Sequence, residues 1–417
     1  MADGQGRRRH RQRRKKPIRR CRKIRQPRED IISSMPDDIL HQIFSFIPTI
    51  WAIRTSVLSK RWSHLWRQTT SLYIEDLPPT ALEINQTLTY FTAPKIMSFH
   101  LRLSRNHTAL DIDSWIKFAM SRNVQNLSVA FDHQETRYIF PKFFYLSASI
   151  KQLSVKLIDK EMLPTCTVSW KHLTNLSLRT CKLRVNSIEK ILSGCPNLES
   201  LALYQCHLPR RLDLSKSLSL KRLEIDRSYW NTGPSEIVAP QIHYLKLKIF
   251  EKPFTLVDVS SLTEADLNIR VKMKYYEKAD YPHSMVTGLL AKFPNVERLV
   301  VGVTVLQVLS LAELCGVPFG VLKVQTLIVK TKFVRSVAPG IARLLQNLPQ
   351  LKKLIVHTMD KDNTMDQHLA SYFDEYWSSM YGCFPISYYI VSILDWQLLP
   401  SFMEFILRNE KSLETMV

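Results

Sequence analysis

The sequence predicts an α/β protein in which three short helices precede a solenoid. The solenoid carries a parallel strand ladder on one side and helices on the other. Two observations predict this. A Leu-x-Leu, Leu-x-Val or Leu-x-Ile phrase returns along most of the chain at intervals of about 22 to 32 residues, the span of one strand-plus-helix repeat. Ahead of it, Met35 to Arg67 holds large apolar residues at helical spacing. The bulk composition agrees. The chain has 417 residues, is 45% apolar and contains 10 glycines, so it supports a sizeable core but few glycine-rich phosphate loops.

Charge divides the chain. Residues 1–28 hold 14 Lys and Arg against Asp3, a net of +13, which leaves +8 of the total +21 for all the rest. Residues 1–29 therefore read as a basic tail kept disordered by self-repulsion. Arg7, Arg8, Arg9, Arg13, Arg14, Lys15, Lys16, Arg19 and Arg20 fit a nuclear-localisation signal, so a nuclear location is expected, with the cytoplasm as a second location. The same run is suited to non-specific binding of nucleic acid or another polyanion. It lacks interleaved aromatic residues for base stacking. No apolar core follows the basic start, so no secretory signal is expected. The seven cysteines, none in a Cys-x-x-Cys pair, then read as reduced core thiols rather than metal ligands.

Residues 30–73 follow. Ser34 is expected to cap a first helix, with Pro36, Asp37 and Asp38 in its first turn and Ile39, Leu40, Ile43, Phe44 and Ile47 along it. Pro48 ends that helix. Thr49 is expected to cap a second helix and Ser59 a third, with Trp62, Leu65 and Trp66 on one face of the third. These apolar faces exceed what three short helices hide among themselves. Either the remainder of the chain covers them or another protein does.

Residues 74–358 carry the repeats. The phrase stands at Leu127, Leu153, Leu176, Leu201, Leu223, Leu245, Leu267, Leu299, Leu327 and Leu354, with a weaker copy at Phe99. Each triplet reads as a strand with two side chains on one face. The second apolar stretch of each repeat, such as Ser187 to Glu199, reads as a helix, here ended by Gly194 and Pro196. Between Arg298 and Lys323 the only charge is Glu313, yet Gly302, Gly316, Pro318 and Gly320 interrupt the run. It reads as a buried strand–helix unit, and no membrane span is expected.

Met35-Pro36-Asp37-Asp38-Ile39-Leu40, Ile43-Phe44-Ser45-Phe46-Ile47-Pro48, Val57-Leu58-Ser59-Lys60-Arg61-Trp62 and Leu65-Trp66 together resemble an F-box. The phrases GCPNLESL, KFPNVERL and NLPQLKKL resemble those of plant-type F-box leucine-rich-repeat proteins. Residues 359–417 resemble, in their last 16 residues, the end of an FBD module, with a final strand-like Leu-Glu-Thr-Met-Val. The resemblance implies a short three-helix F-box followed by a leucine-rich-repeat solenoid and an FBD-like cap. It implies a Skp-type adaptor as partner, and through it a cullin scaffold. The adaptor contacts it implies are Pro36, Ile39, Leu40, Ile43, Leu58, Ser59, Trp62 and Leu65, with Phe44, Ile47, Val57 and Trp66 as internal core.

A protein substrate is expected on the concave strand face. Its candidate contacts are Lys156, Arg179, Tyr204, Asp226, Lys248 and Arg270, joined by Glu224, Lys246, Asn268, Lys330 and His357. Cations outnumber anions there, which favours a partly acidic partner. No nucleophile motif, metal-spaced cluster or phosphate loop argues for an enzyme or a cofactor. The function expected is substrate recognition for a Skp–cullin–F-box ubiquitin ligase. The alternative is a nuclear nucleic-acid-binding protein that uses the basic tail and keeps a vestigial F-box.

Overall fold

A computed structural model describes residues 34–58, 61–76, 79–133, 138–226, 234–250, 254–270, 280–331, 335–358 and 415–416. In chain order the strands are β1 Ser71–Glu75, β2 Ser98–Leu103, β3 Asn126–Phe131, β4 Gln152–Glu161, β5 Asn175–Lys182, β6 Ser200–Tyr204, β7 Arg211–Asp213 and β8 Arg222–Asp226. They continue as β9 Glu236–Val238, β10 Tyr244–Phe250, β11 Thr255–Asp258, β12 Glu264–Arg270, β13 Arg298–Gly302, β14 Thr326–Thr331, β15 Lys353–Thr358 and β16 Thr415–Met416. Thirteen of them form one parallel ladder in the order β1-β2-β3-β4-β5-β6-β8-β10-β12-β13-β14-β15-β16.

Every strand expected from the repeated phrase lies in this ladder. Its first apolar residues stack in register, for example Leu127, Leu153, Leu176, Leu201 and Leu223. All five are buried. The final Leu-Glu-Thr-Met-Val supplies β16, which pairs with β15; the rest of the FBD-like segment lies outside the described residues. One strand of the ladder was not foreseen. β1 begins at Ser71, inside the range assigned to the opening helices, and already pairs with β2.

The outer layer differs from the expectation of helices throughout. Helices α4 Ala81–Tyr90, α5 Ala109–Ser121, α6 Lys142–Tyr145 and α7 Val185–Ser193 serve the first repeats, and α8 Asp280–Leu290, α9 Val303–Leu314 and α10 Ala338–Gln346 the last. Between them, β7, β9 and β11 form a second parallel sheet. The cause is length. Leu201, Leu223, Leu245 and Leu267 are each 22 residues apart, too few for a ladder strand, two turns and a helix. A three- or four-residue strand fits, and it still buries Leu212, Ile237 and Leu256 against the ladder. One helix of the outer layer also departs in detail. Helix α9 starts at Val303, directly after Gly302 ends β13; it is buried on every face except at Glu313, packed against α8, α10 and strands β12 and β13. Among the described residues no helix is long and apolar enough to cross a membrane.

Cys181, Cys195 and Cys206 are buried, Cys166 and Cys315 half-buried, and no metal-holding cluster occurs among the described residues. Cys21 and Cys383 lie outside them. The Cys181 and Cys206 thiols donate to strand carbonyls, Cys181 to Arg179 at 3.2 Å and Cys206 to Leu178 at 3.3 Å. The residue before each, Thr180 and Gln205, has φ of 48° and 54°, the local turn that points the thiol inward.

Candidate functional site

The N-terminal helices are α1 Asp37–Phe46, α2 Thr49–Thr55 and α3 Trp62–Leu65, the last continued by a 3-10 turn at Trp66–Gln68. The caps differ from expectation. Pro36, not Ser34, is the N-cap of α1, and Pro48 that of α2. Thr49 Oγ1 instead accepts from the Tyr73 backbone N–H at 2.9 Å. Tyr73 lies on β1, the end strand of the ladder, so the helices supply a partner to an edge that would otherwise be unpaired.

Helix α1 has two apolar faces. Leu40 and Phe44 point inward, and Phe44 meets Trp62 edge-to-face at 5.4 Å. Leu40, Trp62 and Leu65 are 0%, 8% and 6% exposed, so these three expected adaptor contacts are core residues instead. Three helices need some interior of their own, and the largest side chains provide it. The other face presents Ile39, Ile43 and Phe46, at 44%, 40% and 79% exposure, in a stripe with helical spacing. Trp51 on α2, and Val57 and Leu58 after it, are exposed at 54%, 90% and 72%. Val57 was expected inside and is not. Pro36 is exposed, and Ser59 lies outside the described residues. The Arg61 side chain binds Asp37 and so ties the start of α3 to α1. The sequence reading did not single out Phe46 and Trp51 as exposed apolar residues, although Phe46 stands seven residues after Ile39 on the same helical face.

The concave face has three columns of outward side chains, set by the ladder register. Lys156, Arg179, Tyr204, Asp226, Lys248 and Asn268 form one row. Arg270 stands in register with Phe250 rather than in that row, and its side chain is outside the described ones. Most of the row is internally neutralised. Lys156 pairs with Asp132 at 2.5 Å, Lys248 with Asp226 at 3.3 Å, and Lys330 with Asp266 at 3.3 Å. Glu224 accepts from Tyr204 at 2.7 Å and from Arg222 at 2.7 and 2.9 Å, with Lys246 at 3.6 Å. Burial works against the charge on Glu224, but these donors outweigh it and hold the carboxyl below its ordinary range. Burial and the bond to Glu224 push the Tyr204 phenol up to about 12, so it stays a donor. The cation excess read from the sequence is thus smaller in space than in the row of letters.

The middle column grades along the solenoid, from Tyr73 and His100, through Ser128, Ser154, Ser177 and Ala202, to Glu224, Lys246 and Asp266, and then Val300, Ile328 and Ile355. Over the small residues lies a trough of about 420 Å³. A cleft of about 340 Å³ lies where α2 meets the first repeat, lined by Ile50, Arg54, Trp66, Tyr73 and Tyr90 among others.

A compact helical unit with an unpartnered apolar stripe, capping a parallel leucine ladder, is matched by the comparisons. An F-box domain model matches residues 32–72, and the model for the leucine-rich repeats of FBD-associated F-box protein At5g56370 matches residues 112–263. The chain is 52% identical over 401 residues to the Arabidopsis thaliana F-box/LRR-repeat protein At3g28410, covering 93% of this chain and 85% of that protein. The chain is an F-box/leucine-rich-repeat protein. It is similarly related to the Arabidopsis thaliana F-box/LRR-repeat protein At5g02910, at 46% identity over 93% of this chain and 88% of the relative. In this F-box/leucine-rich-repeat chain, the three N-terminal helices fall within the F-box match, and strands β3 to β11 lie within the repeat match.

Proposed function

We propose that this F-box/leucine-rich-repeat protein is the substrate-recognition subunit of a Skp–cullin–F-box ubiquitin ligase. The observation that carries this reading is the exposed stripe of Ile39, Ile43 and Phe46, extended by Val57 and Leu58, on a unit whose core is already filled by Leu40, Phe44, Trp62, Leu65 and Trp66. Apolar residues of this size are exposed together where a partner covers them. The adaptor takes that stripe, the cullin scaffold follows through the adaptor, and the ladder presents a protein substrate. The chain itself is non-catalytic and contributes proximity between substrate and ubiquitin-charged enzyme. The basic tail directs the complex to the nucleus.

The test is calorimetric titration of the full chain with a Skp-type adaptor. Ile43→Asp and Leu58→Asp are each expected to weaken binding about thirtyfold, on the order of 2 kcal/mol. Leu82→Asp changes an equally exposed apolar residue outside the F-box and is expected to leave binding unchanged. A wild-type chain that ignores the adaptor overturns the proposal. Salt-sensitive nucleic-acid binding by the same chain then moves the function to the tail.

A further inference from the structure

The concave trough has a construction of its own. Its floor is Ser128, Ser154, Ser177 and Ala202, four successive strands with the smallest residues of the middle column. His100 bounds it at one end and Glu224 at the other. With strands about 4.8 Å apart, the floor runs on the order of 15 Å, the length of about four extended residues. One rim carries the amides Asn126, Gln152 and Asn175, in register on adjacent strands. The other carries Lys156, Arg179 and Tyr204.

Each rim selects a different feature of an occupant. Side-chain amides both donate and accept, so a row of them suits the unpaired N–H and C=O groups of an extended segment; a helix hides those groups. On the opposite rim the charges are unequal. Lys156 is held by Asp132, and Arg222 by Glu224. Burial lowers the His100 pKa, so its ring is neutral near pH 7. Arg179 is exposed, and its described partner is the Tyr204 ring, 4.7 Å from the guanidinium. No carboxylate of the described residues forms an ion pair with it. Tyr204 is fixed in turn by Glu224, so the guanidinium has a rigid backing and its donors remain for a planar anion.

We infer that the trough between His100 and Glu224 binds an extended acidic peptide segment of the substrate, backbone against the amide rim and a carboxylate on Arg179. This rests on the receptor reading for its biological use, but the binding event itself does not involve the F-box. The occupant sits deep against the sheet, because Ser128, Ser154, Ser177 and Ala202 leave depth that bulky floor residues would fill.

The experiment probes the purified full chain on an array of acetylated, amidated six-residue peptides varied at each position. Wild type is expected to enrich Asp and Glu at one position. Arg179→Glu is expected to lose that enrichment by about tenfold and to favour Lys or Arg at the same position. Lys190→Glu makes the same change of charge on the outer helix α7 and keeps the wild-type pattern, which also cancels any background from the basic tail. Ser154→Trp fills the floor and is expected to abolish enrichment; amide hydrogen-exchange protection of β3 to β6 at the wild-type level in each variant confirms that the trough remains folded. Acidic enrichment that survives both Arg179→Glu and Ser154→Trp, or no enrichment in wild type, overturns the inference. Either result leaves the adaptor titration, and so the receptor reading, standing.

Discussion

Gly340 sits where helix α10 crosses α9, and there is no room at that point for a side chain. A Cβ on it would stand 2.1 Å from the Leu306 carbonyl and 2.9 Å from Ser310 Oγ. The close approach is used: the Gly340 N–H donates to Ser310 Oγ at 2.7 Å, and that hydroxyl donates to Leu306 O at 3.0 Å. Gly340→Ala is therefore expected to force the helices apart and cost about 1–3 kcal/mol, read as a lower urea midpoint. An unchanged midpoint would show that the pair relaxes freely. Gly194 is similar. The sequence reading used it only to end a helix, but its φ is an ordinary −82°, and the reason for glycine is Val168, whose carbonyl would lie 2.5 Å from a Cβ. A close approach between distant segments has no local letter pattern, which is why neither position was legible as a packing site.

Among elements, the strands were the legible part, because two buried side chains per triplet leave a period-2 mark in every copy. The outer layer was less so, since a 22-residue repeat and a 28-residue repeat share the same phrase and differ only in what fits behind it. In the F-box, Leu40 and Ile39 are adjacent apolar letters with opposite fates. Only the helix's rotation against Trp62 decides which is core and which is exposed. Strand pairs also carry charge networks that sequence order does not show. Asp132, just after β3, receives Arg102 from β2 and Lys156 from β4, both at 2.5 Å. Burial raises its pKa, but those two donors outweigh it and hold the carboxyl below its ordinary 3.8. The sign follows: a depressed folded pKa contributes stability above the unfolded value, and that contribution is lost as pH falls through the folded one. Asp132→Asn is expected to melt below wild type at pH 7, and the gap to shrink as pH drops below about 4. A gap that persists undiminished at pH 3 would locate the effect in packing rather than in the ion pairs.

At the scale of the molecule, the ladder makes each repeat depend on its neighbours, while the F-box closes its first edge and β16 lies beside its last long strand. The sequence showed the array and its order; it did not show that the F-box is joined to it through Thr49 and Tyr73, because that bond crosses between a helix and a strand 24 residues away. Stability in such an array is a sum of local units and nearest-neighbour interfaces. Trp170 tests this directly. It is fully buried, donates from Nε1 to the Phe144 carbonyl at 2.8 Å, and packs on the Phe144 and Tyr145 rings at 5.5 and 5.7 Å. Removing an aromatic side chain from such a site costs about 3–5 kcal/mol, so Trp170→Ala is expected to open the structure around it. Amide hydrogen exchange reads where. Protection is expected to fall most in β4, β5 and α7, less in β3 and β6, and not at all in β13 to β15, more than a hundred residues along the chain. Equal loss across every strand would mean that the 13-stranded sheet unfolds as one cooperative body rather than repeat by repeat. In that case a substrate bound at the trough would stabilise the F-box as much as the repeats it touches, whereas local unfolding confines its effect to the strands beneath it.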